Sequence, residues 1–125
     1  MNPRAIKAKG RDAENAIVDL LRTSGWPLAE RRRLTGTLDR GDITGVPDVV
    51  LESKSGATIK LAEWLRETER ERLNDNALYG ALVIKLRGVG ATRAHEWPVL
   101  IPLGQFLALL RESGRGGPLE QEDQP

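Results

Sequence analysis

Apolar residues recur at three- and four-residue spacing between positions 10 and 24. Ala13, Ala16, Ile17, Leu20 and Leu21 line one face of a helix there, and Gly25 stops it. Glu14 lies three residues before Ile17 and seven before Leu21, so it falls on that apolar face. A carboxylate in this position needs either a place at the rim or a buried partner. From Pro27 the period changes to two. Residues 28–34 predict a strand with Arg31 and Arg33 on one face and Glu30 and Arg32 on the other. A loop over 35–41 leads to a short strand at Asp42-Ile43, a turn over 44–47, and a strand over 48–54 that Ser55-Gly56 closes. A second helix over 59–74 carries a narrow apolar stripe of Leu61, Trp64, Leu65 and Thr68. Glu63, Arg66, Glu67, Arg70 and Glu71 form its solvated side. The continuous apolar run 78–86 predicts a buried central strand, with Lys85 and Arg87 on one face near its end. Gly88-Val89-Gly90 is a turn, 96–101 a fifth strand, and 103–112 a third helix built on Phe106, Leu107, Leu109 and Leu110. The order α-β-β-β-α-β-β-α defines an α/β sandwich around a mixed sheet.

With 125 residues and 13.8 kDa, the chain accommodates one domain, assigned to 1–112, followed by a polar, glycine-rich flexible tail over 113–125. It contains no cysteine and one histidine, His95, which excludes a disulfide scaffold, a thiolate zinc site, a Cys nucleophile and any two-histidine mechanism. His95 reads as a surface residue, and Trp26, Trp64 and Trp97 as core or interface anchors. No apolar run reaches the roughly 18 residues that span a bilayer, and the basic start lacks an apolar signal core, so a cytoplasmic protein is expected. The net charge is only +1, but it is unevenly spread. Residues 1–40 hold nine Lys/Arg against five Asp/Glu, a net of +4, whereas 112–125 hold one arginine against four acids, a net of −3. A basic first third on a neutral protein points to a polyanion-facing surface.

The chemistry concentrates between Gly41 and Lys54. Glu52 and Lys54 are two apart on one strand and share a face, so an apolar strand delivers a carboxylate and an amine to one spot. Such a pair suits metal-assisted phosphodiester hydrolysis, with the carboxylate on Mg²⁺ and the lysine beside the attacked phosphorus. A second carboxylate comes from Asp42 or Asp48. Asp48 lies four residues from Glu52 on the same strand, ~13 Å away, too far for two ligands of one ion. If the connection centres near Pro47, Asp42 lies opposite Glu52, where cross-strand neighbours are ~5 Å apart. Geometry therefore selects Asp42, and Asp48 reads as a turn residue after Pro47. Glu14, on the inward face of the first helix, is a candidate third ligand or a partner for one of the arginines.

The same residues carry a family resemblance. Helix-borne Glu14, then Asp42, then Glu52-Ser53-Lys54 on an α-β-β-β-α-β frame resembles the PD-(D/E)XK nuclease superfamily, with its restriction-endonuclease-like core. Within it the chain is similar to the small Holliday junction resolvases of archaea and tailed phages. Further matches are Lys9-Gly10-Arg11, Ala29-Glu30-Arg31-Arg32-Arg33, Asp39-Arg40-Gly41-Asp42-Ile43, Leu61-Ala62-Glu63-Trp64 and Glu69-Arg70-Glu71-Arg72, spanning roughly residues 7–110. The resemblance implies a Mg²⁺-dependent endonuclease (Mn²⁺ a substitute) with no other cofactor. It would be a homodimer, cutting paired strands of four-way DNA away from any membrane. Asp42, Glu52 and Glu14 would be metal ligands, Lys54 the catalytic lysine, and Thr35 a hydroxyl residue in a DNA-facing loop. Lys9, Arg11, Arg31, Arg32, Arg33, Arg40 and Lys85 are the candidate phosphate contacts, arginine because its planar fork donates two bonds at once. The Pro47-Asp48 dipeptide is displaced from the assigned ligand, and Ser53 stands where an apolar residue is usual. Rival expectations are a restriction-like or repair nuclease on linear duplex, a non-catalytic DNA-binding module, and a partner protein that touches no nucleic acid.

Overall fold

The computed structural model describes residues 3–33, 40–56 and 58–118, with side chains from Gly10 onward. The element order is α1 (Pro3–Thr23), β1 (Glu30–Arg31), β2 (Ile43–Thr44), β3 (Val49–Lys54), α2 (Leu61–Asn74), β4 (Tyr79–Ile84), a 3₁₀ segment (Ala91–Glu96), β5 (Val99–Leu100) and α3 (Leu103–Glu112). This is a mixed α/β fold whose sheet runs β1-β2-β3-β4-β5, antiparallel except for the parallel β3–β4 pair that α2 connects. The predicted order of helices and strands is observed. The largest differences in extent are three: α1 begins seven residues earlier, only Glu30–Arg31 of the described part of the expected strand 28–34 join the sheet, and the expected strand 96–101 shortens to Val99–Leu100 behind a 3₁₀ segment that takes in Glu96. Trp97 explains the last difference, because its indole Nε1 donates to the Val89 carbonyl (2.8 Å) and ties the tightened turn down.

The sheet separates two packed layers. On one face Ala13, Ile17 and Val18 of α1 pack with Ile43, Leu51, Ala81, Val83 and Trp97. On the other, Trp64 of α2 packs with Leu82 and Ile84. The alternation of Ala81 and Val83 against Leu82 and Ile84 along β4 sends one set to each layer. All six residues of β4 are buried, as expected of a strand with neighbours on both edges and helices on both faces. Gly80 allows α2 to come close, since a Cβ there would lie 3.3 Å from Thr68 Cγ2. Trp64 and Trp97 are core residues, so Trp64 is not available as an interface anchor, whereas Trp26 is 39% exposed. His95 is exposed, as its isolation implied. Among the described residues no helix is long and apolar enough to cross a membrane. Residues 119–125 of the expected tail lie outside the described residues.

Candidate functional site

Ile43 of β2 pairs with Leu51 of β3. The Asp42 backbone N–H donates to the Leu51 carbonyl (3.0 Å), and the Ser53 N–H donates to Asp42 Oδ2 (2.8 Å). These bonds lock the Asp42 side chain against β3, and its carboxyl is hydrogen-bonded to that of Glu52. Gly41 permits the approach. It has φ +97°, and a Cβ there would come within 2.6 Å of Val50 Cγ1.

Burial is the main reason the Asp42 carboxyl is pushed up to about 8, reinforced by the hydrogen bond and charge of Glu52. Glu52, only 4% exposed, is also pushed up to about 8, again chiefly by burial, with Glu71 adding to the shift and the bond from Asp42 opposing it. The two acids therefore share protons at neutral pH and titrate as a unit. For the Lys54 ammonium, burial acts downward, but its hydrogen bond to Glu67 and the nearby charges of Glu52 and Asp42 outweigh it, so the net shift is upward. Lys54 Nζ lies 2.8 Å from Glu67 Oε2 on α2.

The structure brings Asp42, Glu52 and Lys54 together and adds an acid that the sequence reading placed in solvent. Glu71 is 3% exposed and hydrogen-bonded to Glu52. Trp64, Thr68 and Glu71 are the buried residues of α2, spaced i, i+4 and i+7. The helical period that placed Trp64 and Thr68 inward therefore includes Glu71, and this was the signal that could have found it. Assigning every charged residue of the helix to the wet side hid it. Glu67, also assigned to solvent, is the Lys54 partner.

Glu14 is not part of this group. Its Oε2 accepts from Arg31 Nε at 2.7 Å, on the α1 layer, whereas Glu52 and Lys54 face α2. The sheet lies between them, which corrects the expected ligand set. Among the described residues no three His, Asp or Glu side chains are arranged to hold one metal ion; Asp42, Glu52 and Glu71 form a row with Glu52 in the middle.

The arginine run divides across the sheet. Arg31 goes to the α1 layer. Arg32 donates its backbone N–H to the Asp42 carbonyl (2.8 Å) and its guanidinium to Asp75 Oδ2 (3.2 Å), and its buried Nε has no hydrogen-bond partner among the described residues. Arg11, Arg33 and Arg40 are exposed. Lys85 is half-buried and donates its backbone N–H to the Lys54 carbonyl at 2.9 Å. The Lys9 side chain and Thr35 lie outside the described residues.

Asp48 is a turn residue. It has φ +63°, and its carbonyl accepts from the backbone N–H groups of both Leu78 and Tyr79 (2.9 and 3.0 Å), which starts β4. Asn tolerates this left-handed conformation as well as Asp does. Asp48→Asn is therefore expected to shift the thermal midpoint by no more than about 2 °C, as for an exposed substitution of about 0.5 kcal/mol. Thermal melts check this.

The donor set can be tested against a hard divalent cation. A half-buried and a buried carboxyl that cannot both ionise unaided are a place where such a cation replaces protons, and oxygen donors suit Mg²⁺ or Mn²⁺. Mg²⁺ is commonly held by one or two carboxylates, with water and phosphate oxygens completing the shell, so Asp42 and Glu52 fit. Compared with known protein families, curated proteins and solved structures, the chain matches none of them.

Proposed function

We propose that the protein is a Mg²⁺-dependent DNA endonuclease with a restriction-endonuclease-like core that acts on four-way or branched DNA. The observation that carries this reading is the Asp42–Glu52 pair, a half-buried and a buried acid hydrogen-bonded across neighbouring strands with the Lys54 ammonium close by. Asp42 and Glu52 would hold the ion, with the Ser53 carbonyl as a further hard donor. Bound there, Mg²⁺ supplies Lewis acidity toward water and phosphate oxygen.

The remaining work falls to the chain itself. Lys54, held at the sheet by Glu67, presents N–H donors to a phosphate oxygen whose charge grows during attack. The hydrogen bond from Ser53 N–H fixes the Asp42 carboxyl, so the site is ordered before substrate arrives. The Arg32 guanidinium, oriented by Asp75 and 23% exposed, would offer its accessible N–H groups to a phosphate oxygen. Arg33, Arg40 and Lys85 extend the cationic surface without reading bases. Discrimination among DNA forms would then follow from the shape of the backbone. Cutting both strands of a junction symmetrically would take two copies of the site.

The test is cleavage of a synthetic four-way junction and of a linear duplex with the same arm sequences, in Mg²⁺ and in EDTA. Junction cutting that needs Mg²⁺ and exceeds linear cutting is the expected result. Equal rates would replace this reading with a duplex nuclease. Tight junction binding without cutting in Mg²⁺ or Mn²⁺ would replace it with a non-catalytic module.

A further inference from the structure

Two cations adjoin the Asp42–Glu52 pair, and α2 supplies a carboxylate to each. Lys54 Nζ lies 2.8 Å from Glu67 Oε2, and Arg32 donates to Asp75 Oδ2 at 3.2 Å. Glu67, Glu71 and Asp75 are spaced i, i+4 and i+8, so one edge of the helix meets Lys54, Glu52 and Arg32 in turn. The four paired side chains are between 23 and 30% exposed, open to a ligand arriving from solvent. Part-exposed pairs of this kind add little to stability. Arg32 meets Asp75 through one N–H, not through the two-bond fork of which arginine and a carboxylate are capable. Asp75 also caps the C-terminus of α2, the end whose dipole disfavours a carboxylate. Helix stability does not account for an acid there, whereas the charge of Arg32 does.

We propose that Glu67 and Asp75 are specificity-determining residues that mask the charges of Lys54 and Arg32, so that this face attracts duplex DNA only weakly on its own. The proposal rests on the reading of this face as a site for DNA phosphate. The attraction between a basic surface and the phosphate backbone does not depend on sequence, and it supplies nearly all non-specific binding. A cation with a carboxylate beside it adds little to that attraction, because the pair is neutral when seen by a passing duplex. The remaining N–H groups of the ammonium and the guanidinium stay in place for a phosphate that reaches them. A divalent ion held by Asp42 and Glu52 would be the largest local charge. It would draw a phosphate to those donors at this one place. The masks thus suppress idle binding and spare the productive contact.

Glu67→Gln and Asp75→Asn test it, since each keeps the side-chain shape and an acceptor oxygen while removing the charge. Fluorescence anisotropy of a labelled linear duplex, titrated in EDTA at several salt concentrations, reads binding without cleavage. Each variant is expected to bind ~5-fold more tightly than the wild type, with a salt slope steeper by about 0.9, the value for one added phosphate contact. Glu63→Gln is the control. It removes the same charge from an exposed position of α2 that pairs with neither cation, and it should change affinity by less than ~2-fold. In a Lys54→Met background the gain from Glu67→Gln should vanish, because no cation is left to unmask. Duplex affinity unchanged in both Glu67→Gln and Asp75→Asn would overturn the proposal. So would a Glu63→Gln variant that matches them, or a Glu67→Gln gain that persists without Lys54, since either would report net charge alone. Tighter duplex binding without junction cutting in Mg²⁺ would uphold the masks in a DNA-binding module and remove the nuclease reading. Junction cutting without tighter duplex binding would do the reverse.

Discussion

Asp42→Asn, and separately Glu52→Gln, should stabilise the metal-free protein at pH 8 while removing its Mg²⁺ response. In the folded chain both carboxyls are raised to about 8, whereas in the unfolded chain they ionise near 4. The folded state therefore holds protons that the unfolded state has released. The resulting contribution to stability is fully present below about pH 4 and is lost as pH rises toward 8. By pH 8 the wild type must bury negative charge against negative charge. An amide at either position removes one charge and can still hydrogen-bond to the neighbouring acid. The expected gain at pH 8 is a rise of several degrees, at roughly 4 °C per kcal/mol for a domain of this size. At pH 5 the gain should be much smaller than at pH 8, because only about one of the four pH units that separate the unfolded from the folded ionisation has been crossed. Mg²⁺ should raise the wild-type midpoint at pH 8 and leave both variants unmoved. Under the proposed function, junction cleavage falls at least ~100-fold in each. Calorimetry at the two pH values, with and without Mg²⁺, checks the prediction; variants that melt lower at both pH values would refute the electrostatic account.

Gly45→Ala carries the largest expected loss of stability. Gly45 has φ +100°, and a Cβ there would lie 2.2 Å from the Leu28 carbonyl oxygen and 2.6 Å from Ala29 Cα. Both obstacles are backbone atoms that cannot rotate away. The substitution must push β2 from the segment that leads into β1, or expel that segment from the sheet. A cost of about 3 kcal/mol or more follows from the clash and the strained φ together, which lowers the midpoint by roughly 10 °C. Gly88→Ala is the control. Its φ is +82°, but nothing lies within 4 Å of the added carbon, so only the backbone strain of about 1 kcal/mol remains. Because Asp42 directly precedes β2, Gly45→Ala should also blunt the Mg²⁺ response that Gly88→Ala preserves. Equal melts for the two variants would show that the close approach at Gly45 is relieved at no cost.

The neighbourhood of Asp42 and Glu52 was legible before any coordinates. A turn near Pro47 and the roughly 3.3 Å rise of a strand are local quantities, and they were enough to choose Asp42 over Asp48. The same holds for Lys54, because the two-residue period decides which side chains share a strand face. It holds as well for the element order, which follows from changes of period along the chain. The buried run of β4 announced a central strand because only such a strand excludes water from both faces.

What local periodicity could not decide was which layer each charged side chain enters. Glu14 and Glu52 both sit on inward faces of their own elements, yet α1 and α2 cover opposite sides of the sheet, so one acid meets Arg31 and the other Asp42. Glu71 was misplaced for a related reason. The rotation of α2 about its axis is set where Thr68 meets Gly80 on β4, further along the chain, and that contact turns a glutamate inward despite its charge. Helix α3 reversed the usual rule, with Gln105 and Glu112 toward the body and its leucines outward. Its period was plain in the sequence, but a period fixes only the angle between two faces of a helix. Which of those faces meets the protein depends on partners distant in the chain, and only the assembled sheet supplies them.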